Sequence, residues 1–245
     1  MDFGWDQIQG AREYQQDAVS ILSWPNGEIL VVVADGMGGM ASGDVASVEC
    51  LTVFNDKFIE DTKNEIQHKL LVSLENANAH LTHLISTTPE YEGMGTTLAS
   101  AYLKDHQLFW LSVGDSPIWL FRDNVVKRLN QDHSMVPVLD LACKKGKISE
   151  QQALSSPQRN QLRSAVQGED IDLYDLSEPF TLFVNDIVII ASDGLDSLTK
   201  DEMSVLLAKN LTLCAESIVT ELLEAVSNKN ITDQDNTSVA VIKVI

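Results

Sequence analysis

ILVVVADGMGGMASGDVASVECLTVFNDKFIE, residues 29–60, changes character in the middle. Ile29 to Ala34 is an unbroken apolar run of strand length, and it stops at Asp35-Gly36. From Asp44 to Ile59 the apolar residues follow helical spacing instead. A buried strand, an acidic glycine-rich turn and a helix is the first unit of the fold. The segments around it extend the pattern. Upstream, Asp17 to Leu22 pairs as a strand candidate with Gly27 to Ala34 across the turn Pro25-Asn26-Gly27. Downstream, Ile66, Leu70, Leu74, Ala77, Leu81 and Ile85 recur at steps of three and four, which predicts a second long amphipathic helix. Thr97 to Leu103, Leu108 to Val113 and Ile118 to Arg122 read as three strands of an antiparallel meander. Ser149 with Gln152 and Thr199 with Glu202 have the spacing of capping boxes. A helix over Ala215–Val226 and a closing strand over Ser238–Val244 complete the chain. Strands, two helices, strands, helices and a strand do not alternate regularly, which favours α+β over a doubly wound parallel sheet.

The chain has 245 residues, 44% apolar and 22% charged, enough for one domain with a large core. No linker, repeat or biased segment divides it, so one domain over 1–245 is expected. Seventeen basic against 36 acidic residues give a net charge of −19. That balance argues against nucleic-acid binding and against docking on an anionic membrane. Three scattered cysteines (Cys50, Cys143, Cys214) build neither a disulfide framework nor a zinc site. No signal peptide or membrane-length apolar run is visible, and a cytoplasmic protein is expected.

The chemistry lies in a recurrence. Val31–Gly36, Leu111–Ser116 and Val188–Gly194 are apolar runs that each end on an aspartate beside a glycine: Asp35, Asp115 and Asp193. Asp235 precedes the last strand, next to Asn236. Any one Asp-Gly pair is an ordinary turn; three at strand ends plus a fourth acid suggest convergence. Two unit charges about 4 Å apart repel by about 4 kcal/mol at an effective dielectric near 20, which a shared proton or a cation would relieve. All-oxygen ligation selects Mg²⁺, Mn²⁺ or Ca²⁺, and two such ions bridged by water would supply a hydroxide for in-line attack on phosphorus. Arg12, five residues before Asp17, offers a guanidinium fork for phosphate oxygens.

At this point the sequence resembles the metal-dependent PP2C (PPM) family of protein serine/threonine phosphatases in its bacterial form. The resemblance is carried in order by GAREYQQDA (10–18), VVADGMGGMASGDVAS (32–47), MGTTLASAYL (94–103), LSVGDSPIWLF (111–121), LNQDHSMV (129–136), KGKISEQQALSSPQRNQLRSAV (145–166), DIVIIASDGL (186–195) and DQDNTSVAVI (233–242). It implies an αββα sandwich of two antiparallel sheets flanked by helices, with a small flap subdomain over 137–168. By motif, Asp35 bridges two core metal ions and the Gly36 carbonyl binds one of them. Asp193 and Asp235 complete the other, and Asp115 with Asp193 matches a third site. Arg12 holds the substrate phosphate, Asp17 holds a metal-bound water, and Asn236 orients the neighbouring ligand. Two to three Mn²⁺ or Mg²⁺ ions are implied. So is hydrolysis of phosphoserine and phosphothreonine in proteins by direct attack, without a phosphoenzyme, by a monomer that opposes a Ser/Thr kinase. Gln15, Met40, Pro117, Asn130 and Gln167 depart from the family pattern without removing a ligand or Arg12. They leave open a pseudophosphatase that binds a phosphoprotein, or a phosphatase within a partner-switching system.

Overall fold

The computed structural model describes residues 1–38, 42–62 and 65–245; Met40 lies outside the described residues. In chain order the strands and helices are β1 (Asp2–Ile8), β2 (Asp17–Ser23), β3 (Ile29–Met37), α1 (Ser42–Glu60), α2 (Ile66–Thr87), β4 (Gly95–Thr96), β5 (Leu98–Lys104), β6 (Gln107–Val113), β7 (Ile118–Arg122), β8 (Val125–Arg128), α3 (Val136–Lys144), α4 (Glu150–Leu154), β9 (Asp175–Leu176), β10 (Phe180–Thr181), β11 (Ile187–Ala191), α5 (Lys200–Lys209), α6 (Ala215–Asn228) and β12 (Thr237–Lys243). Two antiparallel sheets result. One runs β1-β12-β11-β7-β8; the other runs β10-β6-β5-β3-β2, with β4 on β3 and β9 on β6.

Unbroken apolar runs mark strands buried on both faces. In β3, Ile29, Val31 and Val33 point between the sheets, where they meet Val188, Ile190, Ala240 and Ile242. Leu30 and Val32 point the other way, onto Phe54 and Phe58 of α1 and Leu70, Leu74 and Leu81 of α2. Ile189, Val239 and Val241 face Ile218, Leu222 and Val226 of α6. The layers are therefore α-β-β-α, as the resemblance implies. Both predicted capping boxes form, Ser149 with Gln152 and Thr199 with Glu202, each with its two reciprocal bonds.

The structure corrects two expectations. The meander over 97–122 is a hairpin followed by a change of sheet. β5 and β6 pair across Asp105-His106, both at positive φ. After Val113 the chain turns through Gly114 (φ 96°) and Pro117, and β7 joins β11 in the opposite sheet. A Cβ on Gly114 would lie 2.7 Å from the Thr97 side chain, so only glycine fits this turn. Asp115 is thereby placed at the crossing between the sheets. The run ending at Asp35 is also not a strand end. β3 continues through Gly36 and Met37 by pairing with Thr96 and Gly95 of β4.

β1 is a strand the sequence does not announce. DFGWDQI places polar residues on both faces, yet it pairs with β12 over all seven residues. Gly4 allows α6 to lie on it: a Cβ there would come within 2.8 Å of Glu216 Cα.

Candidate active site

The central strands end together at one edge of the sandwich, where a cavity of about 280 Å³ is lined by Arg12, Asp35, Gly36, Asp115, Asp193, Asp235 and Asn236. The four aspartates come from four separate elements. β2 and β3 set Asp17 directly opposite Asp35. Asp35 is fixed by its backbone: its N–H donates to Thr97 Oγ1 (3.0 Å), and its carbonyl accepts from Thr96 Oγ1 (2.9 Å). Thr97 Oγ1 also shares a 2.6 Å bond with Ser116 Oγ, linking β3 to the turn that carries Asp115. Thr96 and Thr97 are thus satisfied hydroxyls, Thr97 at the cavity wall. Gly36 is required by packing, since a Cβ would meet the Gly43 carbonyl oxygen at 2.0 Å. Asp193 opens a short 3₁₀ turn, Asp193–Ser197, directly after β11.

Gathering these acids raises their pKa values. Asp35 is pushed well above the usual carboxylate range by burial and then by Asp17, Asp193, Asp115 and Asp235. Asp115 rises to about 7, chiefly by burial, with the charges of Asp193 and Asp132 adding to it and Arg128 opposing. Asp193 is raised by burial and Asp235, and its side chain is hydrogen-bonded to Asp35. Asp17 rises to about 6 through burial, although Ser192 Oγ (2.7 Å) and Ser238 Oγ (2.8 Å) both donate to its Oδ2. Its Oδ1 is buried without a partner.

Arg12 and Asp235 form an ion pair at 2.5 Å, with Arg12 about half exposed. The loop carrying Arg12 lies on the one carrying Asp235: Ala11 N–H donates to the Gln234 carbonyl at 2.8 Å. Asn236 locks that contact. Its side-chain amide donates to the carbonyls of Gln9 (2.8 Å) and Tyr14 (3.1 Å) and accepts from Gln16 N–H (2.9 Å). Its backbone N–H, not its side chain, bonds Asp235 Oδ1 (2.8 Å).

The match to the protein phosphatase 2C family model spans residues 9–228. The chain belongs to the protein phosphatase 2C family. Serine/threonine phosphatase stp of Listeria monocytogenes is 31% identical over 216 residues, covering 85% of this chain and 83% of that protein. The serine/threonine phosphatase of S. agalactiae has the same fold, with a TM-score of 0.86 and 26% identity over 100% of this chain and 99% of that one. The catalytic domain of PstP, solved with two manganese ions, shares the fold at TM-score 0.78 and 22% identity, covering 99% and 98% of the two chains.

Other residues of this phosphatase brace the site or lie away from it. His133 is buried, and its Nδ1 accepts from Gly114 N–H (3.3 Å), so it braces the turn bearing Asp115 from below. Burial lowers its pKa. Asn130 bonds Ile118 N–H, Ser112 Oγ and the Ser116 carbonyl, supporting the same turn. Gln15 bonds Ile8 and Asp17 backbone groups, and Gln167 reaches Glu169. Asp186 is buried in a two-pronged pair with Arg122. His80 pairs with Glu49 on the helical face, away from the cavity. Sequence reasoning missed Arg128, whose Nη2 donates to the Asp115 carbonyl (2.6 Å), and the hydroxyl pair Ser192 and Ser238. It also missed Asn160 and Leu162, which close the cavity from the segment after α4. Ser192 was within reach, since it immediately precedes Asp193; Arg128 had no local signal.

Proposed function

We propose that this phosphatase hydrolyses phosphoserine and phosphothreonine in protein substrates in one step, using two to three Mn²⁺ or Mg²⁺ ions. Asp35, the Gly36 carbonyl, Asp115, Asp193 and Asp235 would hold them. The observation that carries this proposal is the convergence of four carboxylates and one arginine on a single cavity. The donor set fits the group. Apart from the Met37 thioether, the side chains lining the cavity that can ligate offer oxygen, and no His or Cys is among them, which suits hard divalent cations. As the side chains stand, no three His, Cys, Asp or Glu residues among the described residues close around one point. Loading therefore means parting Arg12 from Asp235 and opening the Asp35–Asp193 contact. When bound, the cations supply an activated water and offset the charge on phosphorus oxygens.

The chain's own residues do the rest. Arg12 is the cation for the phosphate. Its ion pair with Asp235 is largely exposed, and pairs of that kind contribute about 0–1 kcal/mol, so the guanidinium is readily surrendered to a phosphate fork. Asp17, set opposite Asp35 and held by two hydroxyls at Oδ2, would hold a water through Oδ1 from behind the cavity lining. Met37 lines the cavity and has no proton to give the leaving oxygen.

Residues 137–168 act as a flap in this proposal: α3 has no fully buried residue, while Asn160 and Leu162 reach the cavity. The same proposal places the enzyme in the cytoplasm, as a monomer opposing a Ser/Thr kinase. Three free cysteines suit a reducing compartment. Among the described residues no helix is long and apolar enough to cross a membrane.

Phosphate release from a phosphothreonine peptide, measured in EDTA and then with Mn²⁺ or Mg²⁺, tests the proposal. Release should require the cation and be lost in Asp193→Asn. Turnover in EDTA would refute cation dependence. Tight peptide binding without release under any condition would favour the phosphoprotein-binding alternative.

A further inference from the structure

The acidic cavity adjoins a larger groove of about 640 Å³, whose floor and walls include Trp119, Leu141, Lys144, Leu198, Lys200 and Met203. Two segments and one side chain connect the two spaces. The turn Asp193–Ser197 puts Asp193 in the cavity and Asp196 in the groove. The segment from α3 to Leu162 lines the groove at its start and the cavity at its end. Arg128 lines the groove and donates to the carbonyl of Asp115. A polypeptide whose phosphorylated side chain enters the cavity thus has the groove as its continuation, and the volume is in the range of sites that enclose small ligands.

The groove has an apolar half and a charged half, in which Asp132, Asp140 and Asp196 stand among Arg128, Lys144 and Lys200. α3 reads VPVLDLACK, an apolar helix, yet none of its residues is fully buried and Leu141 is 50% exposed. Opposite lie Leu198, Met203 and the Trp119 ring. The Lys200 ammonium stands 5.2 Å from the centre of that ring. Arg128 is paired with Asp132, and Asp140 with Arg159. Lys144 and Lys200 end in no ion pair among the described residues. In a chain of net charge −19, two lysines outside any ion pair among the described residues flank one groove beside the candidate site, Lys200 also lying over Trp119 and acting on Asp196.

We infer that this groove seats the substrate polypeptide next to the phosphorylated residue, and that it selects segments carrying acidic side chains beside an aliphatic one. The inference rests on the phosphatase function proposed above and adds substrate selection to it. Lys144 and Lys200 recognise the acids, and Leu141, Leu198 and Met203 take the aliphatic group.

The test uses the full chain with Mn²⁺ and three substrates: p-nitrophenyl phosphate, a phosphothreonine peptide with neutral flanks, and one flanked by Glu and Leu. The variants are Lys144→Glu/Lys200→Glu and, for the apolar half, Leu141→Ser; all three side chains are exposed, so folding is preserved. In the double variant kcat/KM for the acidic peptide should fall about tenfold, the effect of reversing two partly exposed charges. p-Nitrophenyl phosphate and the neutral peptide should stay within about twofold of wild type on the same scale. Leu141→Ser should weaken the Leu-containing peptide alone. Equal changes for all three substrates, or none, would overturn the inference while leaving the phosphatase function standing. Turnover of none of them by the wild-type chain would overturn both. A dimer of the wild-type chain in sedimentation that the double variant abolishes, with peptide kinetics untouched, would assign the groove to a second copy and overturn the inference.

Discussion

Asp115→Asn should make the metal-free protein more stable, by an amount that depends on pH. Asp115 is held near pKa 7, mainly by burial and then by Asp193 and Asp132, whereas an unfolded aspartate titrates near 3.9. Between those values the native state binds the extra proton, so wild-type stability falls as pH rises through the window. The gap of about three pH units, at about 1.4 kcal/mol each, comes to about 4 kcal/mol of destabilisation once pH exceeds 7. At pH 5 the group is protonated in the native state and about 1.5 kcal/mol of the deficit remains. Asparagine keeps the shape of the neutral acid and never ionises. In EDTA the variant should therefore melt about 8–16 °C above wild type at pH 8, and about 3–6 °C above it at pH 5, taking about 2–4 °C per kcal/mol for a chain of this size. Calorimetric scans of both proteins at the two pH values give the comparison directly. Taking the difference between variant and wild type cancels His133, whose lowered pKa works in the opposite direction below its ordinary value. Added Mn²⁺ should narrow the gap, because an ion stabilises the carboxylate that the apo protein strains to keep. A variant no more stable than wild type at pH 8, or a difference that does not change with pH, would refute this account of the site as a cluster of destabilised acids.

Three further outcomes follow from the same contacts. Asn236→Ala strips the anchors from Gln9, Tyr14 and Gln16; it should raise KM for phosphopeptide about tenfold or more, with binding of inorganic phosphate weakened in parallel, because the Arg12 loop loses its seat. Gly10→Ala places a methyl 2.4 Å from the Asp235 carbonyl at φ 65°. It should cost about 2 kcal/mol or more in denaturant unfolding and reduce kcat/KM together with it. Thr97→Val removes the acceptor for Asp35 N–H and the partner of Ser116; a loss of about 1–3 kcal/mol is expected from the unpaired groups, read by the midpoint of urea unfolding.

What could be read from the sequence is what is local. The apolar runs at Val31, Leu111 and Val188 announce strands, and the Asp-Gly or Gly-Asp pairs that follow place Asp35, Asp115 and Asp193 at one edge, because strand and turn chemistry act over a few residues. The helices over 66–87 and 215–228 and both capping boxes have the same local origin. The change of sheet after Val113 was not readable. β6 and β7 have the same apolar pattern, and nothing in it tells which sheet a strand will join. Nor was the role of the Asn236 side chain, since its partners lie 220 to 227 residues away and are brought near only when β1 pairs with β12. β1 itself stays hidden because its stability comes from a neighbour, α6 lying over Gly4, and not from its own alternation.

The ion pair between Arg12 and Asp235 unites these observations. Asp235 carries an arginine on its carboxylate, while Asp35, Asp115 and Asp193 are each raised chiefly by burial and then by neighbouring aspartates. The group proposed to bind phosphate thus pairs with a carboxylate proposed to hold a cation. A divalent ion on Asp235 would displace the guanidinium, and the displaced guanidinium is then free for phosphate. Cation and substrate would each make room for the other, which predicts positive coupling between them: phosphate should bind more tightly with Mn²⁺ present, and Mn²⁺ more tightly with phosphate, by the same factor. Arg12→Ala should remove the competition for Asp235, so Mn²⁺ should bind the variant at least as well as wild type while phosphate affinity falls. Weaker Mn²⁺ binding in that variant, by calorimetric titration, would show that Arg12 organises the acids and does not occupy their place.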